Sequence, residues 1–552
     1  MAARRRVLVA CVSACMSAGL VATAACSPGS GSGAPNAAPA DLSATTPPGT
    51  EPVDRVTWAL PYGEPTTLDP AKVGDYSPQT VEANLCDTLL RMNADLSLAP
   101  GLAEKAAWTD DRTLVLDLRP GVAFWDGSPM RPEDVVHSLR RQTDPQTQGL
   151  YGSYLAGVTG IDITGPNQVT LRTKAYDQGL RKALATSFGA VGQEAYARKV
   201  GAGYGTPTGG LMCTGPYKLA SWKSGDSITL ERNDAYWDPQ LKPKAAQVVF
   251  RFITNSNTLT SALLSGEVDG TYELPPTSAT ALAKAKNGTT YLGPSTQNVL
   301  LVPGHADSPA ADRRLLDALS LAVDRDALVK NVFGGAANPL KSLAPPLTWA
   351  GDPAAARLDA AYAALPSAPP PDVAAAKRLV AEVGAPSRPL VAAIPAGDQK
   401  GLQILTFFQA AAKAVGVGIE IRQLQPTEMS SLFYDPSIRQ GIDLVLTFGY
   451  VGMPDAASYV GEMVNPGGLF NWTNYNNPEV TRLLGEARAA SDPDVSAKAY
   501  AEAQALFTPT VPVVFLAAPH ERMFMNKRIS GAPASFGYMG MPWAAYLGGT
   551  PR

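Results

Sequence analysis

The cysteine side chains are the groups of this 552-residue chain with the clearest capacity for covalent chemistry. Cys26 stands at a boundary, because an apolar segment ends at Ala25 and a stretch rich in Gly, Pro, Ser and Ala follows it. The tetrad Thr23-Ala24-Ala25-Cys26 resembles a lipobox, the sequence in which a cysteine sulfur is alkylated by diacylglycerol and the cysteine becomes the new N-terminus. Small residues suit this position because a peptidase must admit the backbone beside the modified cysteine. We therefore expect Cys26 to carry a lipid.

The segment before Cys26 has the three parts of a secretory signal. It opens with a run of three arginines, continues as an apolar stretch to Leu20 and ends in small residues. We expect residues 1–25 to be a lipoprotein signal peptide, and residues 26–53 to be a lipidated, disordered linker that tethers the protein to the membrane. Two alternatives remain open: an ordinary cleaved signal peptide that leaves Cys26 as a free thiol, and a retained membrane anchor.

Cys86 and Cys213 are the cysteines that remain beside Cys26 once the signal peptide is removed. If Cys26 is lipidated, they form an even pair in an oxidising compartment, which favours a disulfide. The alternative is two separately buried thiols, because free cysteine is often buried.

Recognisable catalytic motifs are absent from the sequence. It contains no Gly-x-Ser-x-Gly elbow, no Ser-x-x-Lys pair, no His-Glu-x-x-His and no phosphate-binding Gly-Lys-Ser/Thr loop. The three histidines, His137, His305 and His520, are isolated from one another and from the cysteines. We therefore expect no catalytic residue, no metal and no cofactor, and an envelope hydrolase is the least favoured hypothesis.

The charge of the mature chain argues against a nucleic-acid partner. Without residues 1–25 the chain has 43 Lys and Arg side chains against 49 Asp and Glu. Binding to nucleic acid calls for a concentrated positive surface, which this balance does not indicate. We expect no nucleic-acid partner.

Strand-like and helix-like segments alternate after the linker. The segment TLVLDL at 113–118 alternates leucine with other residues, as a half-buried strand does. Pro132 and Asn477 each stand where a helical pattern begins, and Gly384 stands where another ends. The interleaving predicts an α/β fold of mixed α+β character.

Several segments, in one order along the chain, resemble motifs of a single protein family. They are TTLDP at 66–70, NLCDTLLRMNADLSLAPGLAEKAAWTDDRTLVLDLRPGVAFWDGSPMRPEDVVHSL at 84–139, TGPYKLASWKSGDSITLERNDAYWD at 214–238, LLSGEVDG at 263–270 and LSLAVDRDALV at 319–329. On these motifs the chain resembles, from about residue 54 to its end, the family-5 extracellular solute-binding proteins. These are the peptide and nickel type of bacterial ABC importer receptors.

The resemblance implies a periplasmic-binding-protein-like fold, in which two lobes are joined by a hinge and an extra domain is inserted in lobe one. By position, lobe one would comprise residues 54–85, 206–295 and 516–552. The extra domain would comprise residues 86–205, and lobe two residues 296–515.

The resemblance also implies a function. In such a protein a ligand binds between the lobes and favours their closed arrangement. The chain would then be a monomeric receptor, lipid-anchored to the outer face of the cell membrane, that captures an oligopeptide or a similar small solute and delivers it to an ABC permease. The alternative is a lipoprotein that has kept the fold but has a regulatory or scaffolding role in the envelope.

Candidate ligand-binding residues follow from position in the family pattern. They are Asp75, Tyr76, Tyr272, Glu273, Tyr450 and Asp455.

Lobe two departs from the pattern of the peptide-binding members between Tyr450 and Asp455. In those members the block resembles Trp-x-x-Asp-x-Pro-Asp, and its first acid pairs with the α-ammonium of the peptide. The corresponding block here, YVGMPD, is one residue shorter and lacks that acid. Asp455 either takes over its role or caps the helix that follows, and the binding of a free peptide N-terminus is therefore in question.

Overall fold

A computed structural model describes residues 42–551. Cys26, the signal peptide and the first part of the predicted linker lie outside the described residues. In the described part of the chain, no helix is both long enough and apolar enough to span a bilayer.

The regular elements alternate from the first strand onward. The strands are β1 (Val53–Leu60), β2 (Leu90–Met92), β3 (Leu98–Pro100), β4 (Ala103–Asp110), β5 (Thr113–Leu118), β6 (Val158–Gly165), β7 (Gln168–Thr173), β8 (Tyr217–Lys223), β9 (Ser227–Arg232), β10 (Ala245–Phe252), β11 (Gly270–Thr271), β12 (Gly288–Gly293), β13 (Gln297–Pro303), β14 (Ala337–Pro339), β15 (Leu390–Pro395), β16 (Ile419–Leu424), β17 (Leu444–Tyr450), β18 (Val514–Pro519), β19 (Glu521–Asn526), β20 (Ile529–Ser530) and β21 (Gly548–Gly549). The α-helices are α1 (Tyr76–Glu82), α2 (Pro132–Arg141), α3 (Gln178–Ala183), α4 (Glu194–Val200), α5 (Ser256–Ser265), α6 (Pro276–Leu282), α7 (Arg313–Ala322), α8 (Arg325–Asn331), α9 (Ala355–Ala364), α10 (Val373–Val383), α11 (Gln399–Ala414), α12 (Pro426–Leu432), α13 (Ala456–Val464), α14 (Pro478–Ala489) and α15 (Pro493–Phe507).

Lobe one is built on a seven-stranded sheet in the order β12-β19-β11-β1-β10-β9-β8. Strand β1 pairs in parallel with β10 and with β11, and the other pairs are antiparallel. The sheet packs on a core of large aromatic side chains, with Trp58, Tyr538 and Trp543 fully buried. Burial of such side chains supplies much of the hydrophobic stabilisation of a domain.

Lobe two is built on a six-stranded sheet in the order β14-β18-β13-β17-β15-β16. Its central strand β13 is buried on both faces. Val299 and Leu301 belong to one hydrophobic cluster, whereas Leu300 and Val302 belong to another. Helices therefore cover both sides of this sheet, as expected for a strand of continuous apolar sequence.

The chain crosses between the two sheets at neighbouring points. It leaves lobe one between β12 and β13, at residues 294–296, and returns from β18 to β19 through His520. The predicted boundary at 295/296 falls in the first crossing. The predicted boundary at 515/516 is wrong, because residues 516–519 continue β18 and pair with β13 and β14 of lobe two.

The extra domain has its own four-stranded antiparallel sheet in the order β4-β5-β7-β6. Leu114 and Leu116 of β5 are fully buried and Leu118 is 4% exposed, so the strand predicted from leucine alternation is confirmed. Helices α2, α3 and α4 accompany this sheet in sequence, and α2 packs against β6 and β7.

Helix ends follow local chemistry. Pro132 is the first residue of α2, as predicted. The Asn477 side chain accepts hydrogen bonds from the amides of Glu479 (3.1 Å) and Val480 (3.3 Å) at the start of α14. Helix α10 ends before Gly384, whose φ of 88° lies in the region that glycine adopts without strain.

The prediction of a disordered linker over residues 26–53 is wrong for residues 42–53, the last of which begins β1. The Ser43 amide donates to the Leu292 carbonyl at the edge of lobe one (2.9 Å), and Thr46 is 8% exposed. This segment is polar and rich in Pro and Gly, but it fixes its backbone by pairing with another part of the chain. Composition alone does not indicate such a partner.

Cys86 and Cys213 are joined as a disulfide, with Cα atoms 4.9 Å apart. Both cysteines are buried in the core of lobe one. Cys86 follows α1 and Cys213 precedes β8, so the bridge joins the two segments through which the extra domain connects to lobe one.

Candidate functional site

The two lobes meet at a cleft where each lobe contributes a tyrosine that contacts the other lobe. Tyr76 begins α1 in lobe one, and its hydroxyl donates to the Phe448 carbonyl of β17 at 3.4 Å. Tyr450 ends β17 in lobe two, and its hydroxyl lies 3.1 Å from the Gly74 carbonyl and 3.2 Å from Gln79 Oε1. Both tyrosines thus bridge the cleft by hydrogen bonds.

Aromatic rings line this part of the cleft. The Tyr76 ring stacks on Tyr62, with centroids 4.6 Å apart, and meets Tyr450 edge-on at 5.1 Å. Phe536 lies 5.3 Å from the Tyr450 ring. Rings in these geometries combine apolar surface with electron-rich faces.

A lysine of lobe two reaches a carboxylate of lobe one beside the same rings. The ammonium of Lys400, in α11, lies 3.2 Å from the Tyr62 hydroxyl oxygen and 3.8 Å from Glu273 Oε2. It also lies 4.4 Å from the centroid of the Phe448 ring, a cation–π distance. The side-chain amide of Gln297, the first residue of β13, donates to the other oxygen of Glu273. Glu273 therefore has one ion pair and one hydrogen bond with lobe two.

Glu273 is held in an unusual backbone conformation by a second acid. Its φ of 53° lies in the left-handed region, which costs a non-glycine residue roughly 1–2 kcal/mol. Its amide donates to Oε1 of Glu521 at 3.0 Å. Glu521 is fully buried, and burial, followed by the negative charge of Glu273, raises its pKa well above the ordinary range. The Glu521 side chain thereby fixes the Glu273 backbone beside the second crossing.

Asp75 lies between Gly74 and Tyr76, the two lobe-one residues that form hydrogen bonds with lobe two. Its Oδ1 accepts the Tyr76 amide at 2.7 Å, and its side chain is exposed. The pKa of the Asp75 carboxyl is raised, mainly because the walls of the cleft displace water from it, while the Tyr76 hydrogen bond acts in the opposite direction.

Four of the six predicted residues, Asp75, Tyr76, Glu273 and Tyr450, thus come together at the cleft. Their contact with a ligand stays a prediction.

Tyr272 is placed in the core of lobe one. It is 2% exposed, its hydroxyl donates to the Pro533 carbonyl (3.0 Å), and its ring stacks on Tyr538 with centroids 3.8 Å apart. Together with Tyr62, Tyr76 and Glu273 of the cleft, it borders a cavity of about 10 Å³, room for roughly one water molecule. These contacts are those of a packing residue.

Asp455 is placed at the interface of lobe two with the extra domain. It stands at the N-cap position of α13, where its carboxylate accepts the Ser458 hydroxyl at 2.5 Å and makes no hydrogen bond to a helix amide. Its other oxygen lies 4.0 Å from the ammonium of Lys182 in α3, and Asp352 lies 3.3 Å from the same ammonium. With 3% exposure, this carboxylate already has partners within the chain.

Sequence reasoning did not identify Tyr62, Gln297, Lys400 or Phe448. Tyr62 follows the parallel strand β1, and the carboxyl ends of parallel strands are the edge at which α/β sheets bind ligands, so this position offered a usable signal. The sequence offered no such signal for Lys400, because its partner Glu273 belongs to the other lobe and lies far from it in sequence.

The arrangement offers hydrogen bonding, ion pairing and cation–π contact. Within residues 42–551, no group of three or more His, Cys, Asp or Glu side chains could hold a metal ion.

Two α/β lobes joined at adjacent crossings, with polar side chains meeting in the cleft, define the bilobal class of ligand-binding proteins. Residues 97–471 match the bacterial extracellular solute-binding proteins, family 5. The chain belongs to this family, whose members serve ABC importers, so the predicted family and the predicted fold class are confirmed.

The relatives bind chemically different solutes. The glutathione-binding protein GsiB of Escherichia coli K12 is 26% identical over 460 residues, which cover 81% of this chain and 86% of that protein. Two of the solved structures that share the fold are AgaA of A. tumefaciens R10 in complex with agropinic acid, and the oligopeptide-binding protein AppA of Bacillus subtilis with a nonapeptide. AgaA has a TM-score of 0.77 at 21% identity, covering 90% of this chain and 99% of its own. AppA has a TM-score of 0.77 at 18% identity, covering 92% and 100%.

Proposed function

We propose that this protein is the lipid-anchored receptor of an ABC importer, that it encloses a peptide or a similar small solute between its lobes, and that it delivers this solute to a permease. It acts at the outer face of the cell membrane as a monomer and carries out no chemical conversion. The observation that carries the proposal is the polar, aromatic cleft beside the two crossings, where Tyr76, Tyr450 and Lys400 each bond to the opposite lobe. Side chains placed there can favour the closed arrangement once a ligand joins them.

A peptide is the favoured ligand class for two reasons. Among the relatives, GsiB is named for glutathione and AppA was solved with a nonapeptide. The cleft supplies aromatic surface and hydrogen-bonding groups, which suit a ligand that has many polar backbone atoms and variable side chains.

Ligand binding is expected to raise the melting temperature. Glutathione and a pool of peptides of three to five uncharged residues are the probes. At a concentration of 100 Kd a ligand stabilises the native state by about 2.7 kcal/mol, which corresponds to a shift of roughly 2–3 °C for a body of this size. Differential scanning fluorimetry measures the shift, and native mass spectrometry of protein purified from its own host identifies retained cargo. If neither probe shifts the transition and no cargo is found, the peptide proposal fails.

Lipid anchoring is expected to depend on Cys26. Two acyl chains hold a protein stably on a bilayer. No helix of residues 42–551 could span the bilayer in their place. The Cys26→Ser variant should therefore appear in the soluble extracytoplasmic fraction or keep its signal peptide unprocessed, whereas the wild type stays with the membrane pellet and yields a lipid-modified N-terminal peptide by mass spectrometry. Ala25→Gly, which keeps a small residue before the cysteine, is the matched control. A wild-type peptide that starts at Cys26 without added lipid mass would contradict the anchor.

A further inference from the structure

Asp75 is presented to the cleft by its two neighbours. The carbonyl of Gly74 receives the Tyr450 hydroxyl from lobe two, and the hydroxyl of Tyr76 donates to the Phe448 carbonyl of lobe two. The residue between them therefore belongs to the lobe-one wall, and its side chain is exposed there.

The other carboxylates around this cleft are already engaged. Glu273 pairs with Lys400 and accepts further donors, while the buried Glu521 holds the Glu273 amide. Asp398 caps α11, and the positive charge of Lys400 interacts favourably with its carboxylate. Asp75 differs from these three, because in the described part of the chain its one hydrogen bond comes from the amide of the next residue and no basic side chain lies within 4.0 Å.

Aromatic residues adjoin this carboxylate. Tyr76 follows it directly and is in ring contact with Tyr62 and Tyr450. The negative charge of Asp75 contributes to the raised pKa of Tyr62, Tyr76, Tyr450 and the exposed Tyr434, although burial is the larger cause for each. Aromatic surface therefore adjoins Asp75 through Tyr76 and its ring partners. A carboxylate beside aromatic faces is a favourable environment for an organic cation.

We propose that Asp75 is the counter-charge for a cationic group of the ligand, an ammonium or a guanidinium, in a subsite on lobe one. The inference rests on the proposed function and specifies its substrate class. It accounts for how a cation can bind although the Tyr450–Asp455 block lacks the ammonium-pairing acid of the peptide binders and Asp455 is engaged by Ser458 and Lys182. An ammonium enclosed without a counter-charge would be costly, and Asp75 removes that cost.

The test compares peptides with and without a charged N-terminus and adds an organic cation that is not a peptide. The first probe is a pool of tripeptides with uncharged side chains and free N-termini, the second is the same pool after N-acetylation, and the third is spermidine. Isothermal titration calorimetry gives the affinities for the wild type, for Asp75→Asn and for Asp372→Asn. The control Asp372 is an exposed helix cap on α10, and asparagine caps a helix as well as aspartate does, so both variants remove one negative charge from a cap and keep the capping.

Wild type and Asp372→Asn should bind the free pool about 10- to 100-fold more tightly than the acetylated pool, the range expected for a hydrogen bond between charged groups. Asp75→Asn should lose this preference and bind both pools alike. If the wild type binds the two pools equally, or if Asp75→Asn keeps the preference, the subsite is refuted while peptide binding stands. If spermidine binds in an Asp75-dependent manner and no peptide does, the cation subsite stands and the peptide class falls. If no probe binds the wild type, both proposals fall.

Discussion

Replacing Cys86 and Cys213 together by serine is expected to lower the free energy of unfolding by about 3–5 kcal/mol. The bridge closes a loop over a sequence separation of 127 residues, and a loop of this length loses much conformational entropy in the unfolded chain. The loop contains the whole extra domain, so the bridge holds together the two segments by which that domain joins lobe one.

Chemical denaturation with and without a reductant measures the effect, and intact mass shows the disulfide as a loss of two hydrogens. The double serine variant in reductant is the control, since it has no bond to reduce and should be insensitive to the treatment. A wild type that carries two free thiols when purified from an oxidising compartment, or that unfolds identically after verified reduction, would contradict the prediction.

Features of the chain that depend on neighbouring residues were predictable from the sequence. Pro132 and Asn477 start helices because their own backbone and side-chain chemistry favours a helix N-terminus, whatever lies elsewhere in the fold. The order of several motifs identified the family, and with it the two lobes and the inserted domain. The first crossing, at residues 294–296, followed from the same motif order.

Features that depend on distant partners were not predictable. Nothing in the composition of residues 42–52 shows that they pair with lobe one, and nothing near Lys400 indicates Glu273 as its partner. The second crossing was misplaced because β18 is an apolar run that would suit either sheet, and its pairing with β13 decides the matter. Asp455 was left open between two roles, and Lys182 of the extra domain supplies a contact that neither role included.

Asp69→Ala is expected to lower the free energy of unfolding by about 3–5 kcal/mol, the cost of leaving one buried charge without its partner. Asp69 belongs to lobe one and is 1% exposed, and the guanidinium of Arg141 at the end of α2 binds both of its oxygens, at 2.8 and 2.6 Å. The same guanidinium lies over the Tyr204 ring at 4.9 Å. Without the carboxylate, the Arg141 charge would remain in a mostly buried position between lobe one and the extra domain.

An exposed ion pair of the extra domain supplies the matched control. Glu104 pairs with Arg119 at 3.3 Å, but the Glu104 side chain is 51% exposed and that of Arg119 is 30% exposed, so Glu104→Ala should cost about 1 kcal/mol or less. The double variant Asp69→Ala/Arg141→Ala should lose less stability than the sum of its single variants, because it removes both charges together. Additive losses would show that the pair contributes no coupling energy.

Asp69 also shapes the loop that presents Asp75, and its substitution should therefore affect binding as well as stability. Its side chain accepts the Ala71 amide at 3.1 Å, and its carbonyl accepts the amides of Lys72 (2.8 Å) and Val73 (3.1 Å). Loss of the side chain removes the first of these bonds and frees the turn to move, so the Asp75 carboxylate would be less well placed for a cation. Titration of folded Asp69→Ala with the free tripeptide pool should show weaker binding than Glu104→Ala. Equal affinities would mean that Asp69 acts on stability alone. The loop would then be positioned by its other contacts, such as the hydrogen bond that the Tyr151 hydroxyl donates to the Val73 carbonyl.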